Sequence, residues 1–253
     1  MPHGPFEDYM EIPLVTRVYI TAVCLTSLAC QLNLVSAFHL HFNWDLIWRG
    51  RQYWRLMTSF LYFGNFSLDF LFHLFFLVRY SRALEEGSFR NRTADYFWML
   101  FLGAISIIII TPWTTARSAI PFLSSPLTFF LVYVWSRRNT AITMSFLGLF
   151  TFTAPYLPWV LLGFTVLMHN VWPSGDLIGM AVGHLYYFLE DVYPRMEGRE
   201  NHRPLATPEL VKRLFDDVLR DRDDAHLPPM AGGDGGRNHD AVGNEPRNDA
   251  GPM

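Results

Sequence analysis

An all-α, polytopic membrane protein with a solvated tail is the fold class this sequence predicts, and three observations predict it. Residues 1–191 hold six long apolar runs separated by short polar loops. Several runs carry ionisable side chains, which a bilayer tolerates only where they face a bundle interior or a watered cavity. From residue 195 the chain turns rich in Arg, Asp, Gly and Pro and nearly loses its aromatics. The chain average, 51% hydrophobic and 16% aromatic over 253 residues, would suit one soluble domain; its uneven distribution is what excludes that.

A hydrocarbon core of about 30 Å needs about 20 helical residues. The candidate spans are 16–37, 58–79, 96–113, 119–136, a proline-interrupted fifth at 143–168, and 174–191. Glu7, Asp8 and Glu11 precede the first span, which lacks a basic leader and a small-residue cleavage site, so it is expected to stay as an anchor. Cys24 and Cys30 both fall within it on different helix faces, a poor geometry for a disulfide. The second span carries Asp69 and His73, and the sixth carries Asp176 and His184. Beyond the bundle, Thr207-Pro-Glu209 is a helix start with Thr as cap and Pro in the first position. Leu210, Val211, Leu214, Phe215, Val218 and Leu219 then form an apolar stripe. That short helix is expected to dock on the membrane domain or lie at its interface. Residues 227–253, rich in Gly, Pro, Asn and Asp, are expected to be disordered. The predicted organisation is a membrane domain over 1–195, a segment with an amphipathic helix over 196–226, and a tail over 227–253.

Arginines set the orientation. Arg79, Arg82, Arg90 and Arg92 lie around the loop after the second span, and Arg137 and Arg138 follow the fourth. Arg117 alone follows the third, and no basic residue follows the fifth. The bias toward cytosolic arginine places even-numbered loops and both termini in the cytosol. Arg49, Arg51 and Arg55 in the first loop break the pattern, so that loop is expected to fold into the membrane interface. The formal charge of −3 is too small to imply a nucleic-acid partner. Neither a cofactor nor a metal is expected.

Two motifs carry the functional reading. Asp176-Leu-Ile-Gly-Met-Ala-Val-Gly-His184 puts Gly179 and Gly183 one turn apart, a spacing that lets membrane helices touch backbone to backbone. Asp176 lies a turn earlier on roughly the same face. This segment resembles the sixth helix of rhomboid intramembrane proteases, whose base at that point is a histidine. Gln52-Tyr-Trp-Arg55 ends the first loop, and Trp54 and Arg55 by themselves could be a plain interface anchor, ring at headgroup level and guanidinium on phosphate. The company they keep is more specific: Ile12-Pro-Leu-Val-Thr-Arg17, Leu84-Glu-Glu-Gly-Ser-Phe-Arg-Asn-Arg-Thr-Ala-Asp-Tyr96, Leu131-Val-Tyr-Val-Trp-Ser-Arg-Arg-Asn139, Tyr156-Leu-Pro-Trp-Val160 and Gly183-His-Leu-Tyr-Tyr-Phe-Leu-Glu-Asp-Val-Tyr-Pro194. Over about residues 10–195 this pattern resembles the derlins, rhomboid-fold pseudoproteases of the endoplasmic reticulum.

The resemblance implies a six-helix rhomboid-like bundle, multi-pass in the endoplasmic reticulum membrane with both termini cytosolic. It implies a non-catalytic role in endoplasmic-reticulum-associated degradation (ERAD), within the unfolded protein response: recognising misfolded proteins and promoting their retrotranslocation to the cytosol. The partners implied are misfolded substrates, a membrane-embedded ubiquitin ligase complex and a cytosolic AAA ATPase, with homo- or hetero-oligomers left open. Many derlins end in a Phe- and Gly-containing motif that recruits the ATPase. Here Gly232-Gly-Asp-Gly-Gly236 lacks the Phe and the following hydrophobe, so recruitment through another partner is expected. Lys212 is the sole lysine, a feature shared by chains that avoid ubiquitin and by arginine-biased genomes.

The missing chemistry is legible by the same likeness. A rhomboid nucleophile lies in Gly-x-Ser-Gly at the start of the fourth helix, where the glycines admit substrate backbone and supply an oxyanion amide. Counting back from Tyr133-Val-Trp135 puts Ser124 at that position, between Phe122 and Ser125, with both glycines gone. An ordinary carboxylate at Asp176 is a poor base for a serine hydroxyl. Asp69 and His73 fall near the oxyanion-support positions, where an Asn is usual. Ser124 and Asp176 are therefore read as degenerate protease positions, with helix-start and helix-cap roles as the simpler accounts. His184 is expected in a buried interhelical hydrogen bond. The alternative is an active intramembrane serine protease of rhomboid type; a small-solute channel is a third reading, weakened by the absence of inverted repeats.

Overall fold

The computed structural model describes residues 9–114, 120–146, 148, 150–196 and 204–216. The predicted tail 227–253, the Gly232–Gly236 run, Arg117, Val218 and Leu219 lie outside the described residues. Contacts divide the chain into a unit of 1–215 and a second of 216–253.

The fold is mostly helical. Helix α1 runs Leu14–Gln31, and three short helices follow it in the first loop: α2 (Ala37–Leu40), α3 (Trp44–Trp48) and α4 (Arg55–Thr58). Helix α5 is Leu68–Ala83, prolonged by a π-turn over Leu84–Ser88, and α6 is Thr93–Thr114. Helix α7 is Ser124–Arg138, α8 is Leu157–His169, and α9 is Ser174–Tyr187, ending in a second π-turn over Phe188–Val192. A further helix covers 209–216. By length and composition α1 and α6 are long and apolar enough to cross a membrane. Helices α5, α7, α8 and α9, at 16, 15, 13 and 14 residues, fall short of that length.

Helix α7 is the core. Every residue from Pro126 to Ser136 is buried, as expected of a helix apolar nearly all round. Helices α5, α6, α8 and α9 pack around it, and α9 comes closest. A methyl group at Gly179 would collide with the carbonyl oxygen of Pro126, and one at Gly183 would lie 2.9 Å from Tyr133 Cβ. Gly103 on α6 plays the same part, since a Cβ there would meet the Phe130 ring at 2.7 Å.

Two predicted elements are corrected. The second span was expected from residue 58, but α5 starts at Leu68. Gly64, at φ +103°, turns the chain, and the Ser67 hydroxyl caps α5 by accepting from Phe70 N at 3.2 Å. The apolar run ahead of it is a strap: Ser59 O accepts from Leu123 N at 2.8 Å. The fifth span was expected to be helical from 143, whereas Thr143–Phe146 and Phe150–Thr153 form an antiparallel hairpin, β1 and β2, pairing Thr143 with Thr153 and Met144 with Phe152. Thr-Met-Ser-Phe and Phe-Thr-Phe-Thr alternate with period two, the strand period, and Gly148 supplies φ +73° in the turn. Helix α8 begins after that hairpin, with Pro158 in its first turn. The fold is therefore not purely helical.

Helix α1 is capped from a distance. Its own N-cap position is Pro13, which offers no side-chain acceptor. The π-turn after α5 instead carries Glu85 against it: Val15 N donates to Oε1 at 3.1 Å, and Thr16 N and Thr16 Oγ1 donate to Oε2 at 2.9 and 2.7 Å. With the Thr16 proton committed, Ser81 Oγ must donate to Thr16 at 2.8 Å and Tyr96 OH to Ser81 at 2.6 Å. This chain of donors ties α1, α5 and α6 together at one end of the bundle.

Candidate functional site

The opposite end of the bundle collects the chemistry. Helices α5, α7 and α9 all begin there, so Asp69, Ser124, Ser125 and Asp176 occupy first turns that converge. Acidic side chains are favoured at such positive helix ends.

The first loop beside them is folded on itself through Arg55. Its side chain is only 4% exposed. Nε donates to Gln52 Oε1 at 2.6 Å, and one terminal nitrogen donates to Phe38 O and His41 O at 2.8 and 2.9 Å. The fork therefore satisfies the carbonyls around α2 rather than a lipid phosphate, which corrects the plain-anchor reading for the arginine. Trp54, its neighbour, turns outward and is 54% exposed. The loop is pinned to the approach to α7 by Phe42 N donating to Pro121 O at 2.7 Å.

Ser124 belongs to the same strapping. Its hydroxyl is buried and donates to Tyr62 O at 2.6 Å, so it holds the strap where that strap meets the cavity wall. The serine opposite Asp176 is the next one along. Ser125 Oγ donates to Asp176 Oδ1 at 2.5 Å and lies 3.3 Å from His73 Nε2. His73 Nδ1 lies 3.0 Å from Asp69 O and 3.3 Å from Asp69 Oδ1. A carbonyl can only accept, so Nδ1 carries a proton. Counting along α7 from Tyr133 singles out Ser124, whereas the serine that bonds to Asp176 is one residue on, a rotation of about 100° on a helix of 3.6 residues per turn.

These groups floor a cavity of about 410 Å³ whose walls include Phe63, Phe122 and Trp172. A narrow crevice of about 30 Å³ leaves it sideways between α5, α7 and α8, sharing Asp69, His73 and Thr165. The Phe72 and Phe164 rings, 5.3 Å apart, close its outer side. Among the described residues no group of His, Cys, Asp or Glu has a metal-binding arrangement. Gly179 and Gly183 lie on the α7 side of α9, behind the floor. At the residue after Gly183, Tyr133 OH and His184 Nδ1 are 2.7 Å apart, an interhelical bond whose histidine is exposed rather than buried.

Cavity, strap and motif blocks together invite comparison with known chains. The Der1-like family matches over residues 12–209. The chain belongs to the Der1-like family. It is 51% identical over 249 residues to Derlin-2.1 of Zea mays, covering 95% of this chain and 97% of that one. It is 52% identical over 219 residues to Derlin-2.2 of Arabidopsis thaliana, covering 83% and 88%. Derlin-1 of Arabidopsis thaliana is 36% identical over 216 residues, covering 83% and 77%. The Der1-like match takes in the first-loop fork, the Glu85 cap, the polar cluster and the glycine contact. It also reaches Asp95, Thr207 and Glu209, where the chain folds back onto α6. With its long apolar helices, this Der1-like chain is a membrane protein.

Proposed function

We propose that the chain is a non-catalytic component of endoplasmic-reticulum-associated degradation that recognises misfolded proteins and promotes their retrotranslocation. In this reading α1, α5, α6, α7, α8 and α9 form a six-helix rhomboid-like bundle in the endoplasmic reticulum membrane, both termini cytosolic, with the cavity at the lumenal end. The single observation that carries it is the polar-floored cavity flanked by a lateral crevice between α5 and α8 that the Phe72–Phe164 pair closes: a seam that would part to let an unfolded segment pass from the aqueous mouth toward lipid. Helix length supports it. Helix α8, at 13 residues, spans about 20 Å of a core about 30 Å thick, and mismatch of this kind thins the surrounding bilayer. A ubiquitin ligase complex in the membrane and a cytosolic AAA ATPase are the partners this role needs.

One observation favours the hydrolase instead, the order Asp69, His73, Ser125. The proton arrangement opposes it. Ser125 has one hydroxyl proton, and at 2.5 Å it points to Asp176, not to His73. His73 Nε2 then receives no proton from the serine: as an imidazolium it would donate to Oγ, the reverse of a general base, and as a neutral ring protonated at Nδ1 it faces Oγ with no proton between them. The discriminating experiment labels the purified chain with a fluorophosphonate and, in cells lacking the native protein, follows clearance of a misfolded lumenal protein by pulse-chase. Restored clearance with neither Ser124 nor Ser125 labelled is expected. Specific labelling abolished by Ser125→Ala would establish the hydrolase, and no gain in clearance over the deficient cells would sink the transport reading.

A further inference from the structure

We propose that helix 209–216 is an interfacial foot, its outer face bound to the phospholipid surface beside the start of α6. The inner side is already held by protein. Trp98 Nε1 donates to Leu205 O at 3.2 Å, Thr207 Oγ1 donates to Asp95 Oδ1 at 2.6 Å, and the Phe215 ring lies 5.1 Å from that of Phe97.

The place of that contact decides what covers the other side. On α6, Phe97, Phe101, Ile105 and Ile109 recur every fourth residue and all are exposed. Fourfold spacing puts them on one face, so an apolar stripe runs along a helix long enough to cross the membrane. Phe215 packs on the first residue of the stripe. Helix 209–216 thus sits where the lipid-facing surface of α6 reaches the headgroups. Leu210 and Leu214, one turn apart, are 78% and 58% exposed and extend that surface.

Charge defines the kind of surface. Lys212 Nζ is 2.8 Å from Glu209 Oε1, and Asp216 offsets Arg213 along the same helix. A foot with no net charge binds through its apolar face, not through attraction to anionic lipid. The inference is independent of the transport reading and needs only that α6 spans the bilayer.

The test uses the full chain in nanodiscs, with Cys24→Ser and Cys30→Ser and a nitroxide at Leu210→Cys or Glu209→Cys. At 210, collision with dissolved oxygen relative to a water-soluble nickel chelate should exceed that at 209 several-fold, equally in neutral and anionic lipid and at low and high salt. Equal nickel access at both sites would overturn the proposal in favour of a solvated helix. Shielding of 210 from both reagents, or lipid contact seen only with anionic lipid, would overturn it in favour of a protein contact or an electrostatic foot. The unaltered chain supplies a second measurement through lipids bearing a carbene precursor near the headgroup. Adducts within 209–216 are expected; adducts on the α6 stripe with none on 209–216 would refute the foot.

Discussion

Arg55 illustrates how a charge is made tolerable at a membrane surface: the guanidinium lies among carbonyls, where a planar fork with five donors serves better than a point charge. Arg55→Ala strips donors from Phe38 O, His41 O and the Gln52 side chain, and charge-assisted hydrogen bonds are individually worth about 1.5–3 kcal/mol. A loss on the order of 3 kcal/mol is expected in nanodisc thermal unfolding, with Arg55→Lys recovering only part of it because an ammonium cannot reproduce the fork. Ser124 carries less. Its single neutral bond to Tyr62 O is worth about 1 kcal/mol, so Ser124→Ala should lower stability by about that amount and leave clearance of a misfolded lumenal protein unchanged. Slower clearance at full expression would restore a direct role for that hydroxyl. Tyr62 OH also donates to Asn65 Oδ1 at 2.8 Å, tying down the asparagine of the Asn65-Phe-Ser67 sequon, whose serine is already the α5 cap.

Elements here depend on groups supplied by other elements. Helix α1 has no cap of its own and takes one from Glu85, sixty-nine residues from Thr16. Glu85→Ala leaves two amides and a hydroxyl without their acceptor inside the protein, a change on the order of 2–4 kcal/mol. Hydrogen exchange at Val15 and Thr16 should rise well before that at α7, and equal protection across both would show that the cap does not hold α1. The α7–α9 contact behaves differently because glycine, not a bond, creates it. Gly179→Ala meets backbone at Pro126 and cannot be relieved by a rotamer, whereas Gly183→Ala meets the Tyr133 side chain. The first should be the more destabilising, by about 1 kcal/mol or more, as overpacking in a filled core commonly costs 1–3 kcal/mol. Similar unfolding temperatures for the two would mean that α9 is free to slide.

For the molecule as a whole, the transport reading makes geometry the function. Gly183→Val forces α9 from α7, and Arg55→Ala loosens the loop that is pinned to the cavity wall at Pro121. Each should slow clearance of a misfolded lumenal protein while still inserting in the membrane. Wild-type rates from well-expressed variants would leave a simple adaptor as the better account. Orientation has its own reporter. Asn91 lies exposed in the turn before α6, within Asn91-Arg-Thr93, and a cytosolic turn receives no glycan. A glycan on Asn91 in cells would reverse the proposed topology.

What the sequence determined by itself was carried by local pattern. The apolar runs announced α6 and α9 nearly to their ends and α7 from five residues too early, the small-residue spacing of Gly179 and Gly183 marked a close helix face, and the blocks around Arg55, Glu85 and Tyr133 identified the family. It also contained, unread, the period-two alternation of 143–153 and the Gly64 turn ahead of Ser67, both masked by an apolar content that suits helix and strand alike. Only the tertiary structure decided which serine faces Asp176, because a one-residue error in the phase of α7 turns a side chain by about 100°. Only it joined Glu85 to α1, turned Arg55 inward, and laid 204–215 on α6. These are contacts between groups far apart in sequence, and residue spacing specifies what a helix face presents without saying what comes to lie against it.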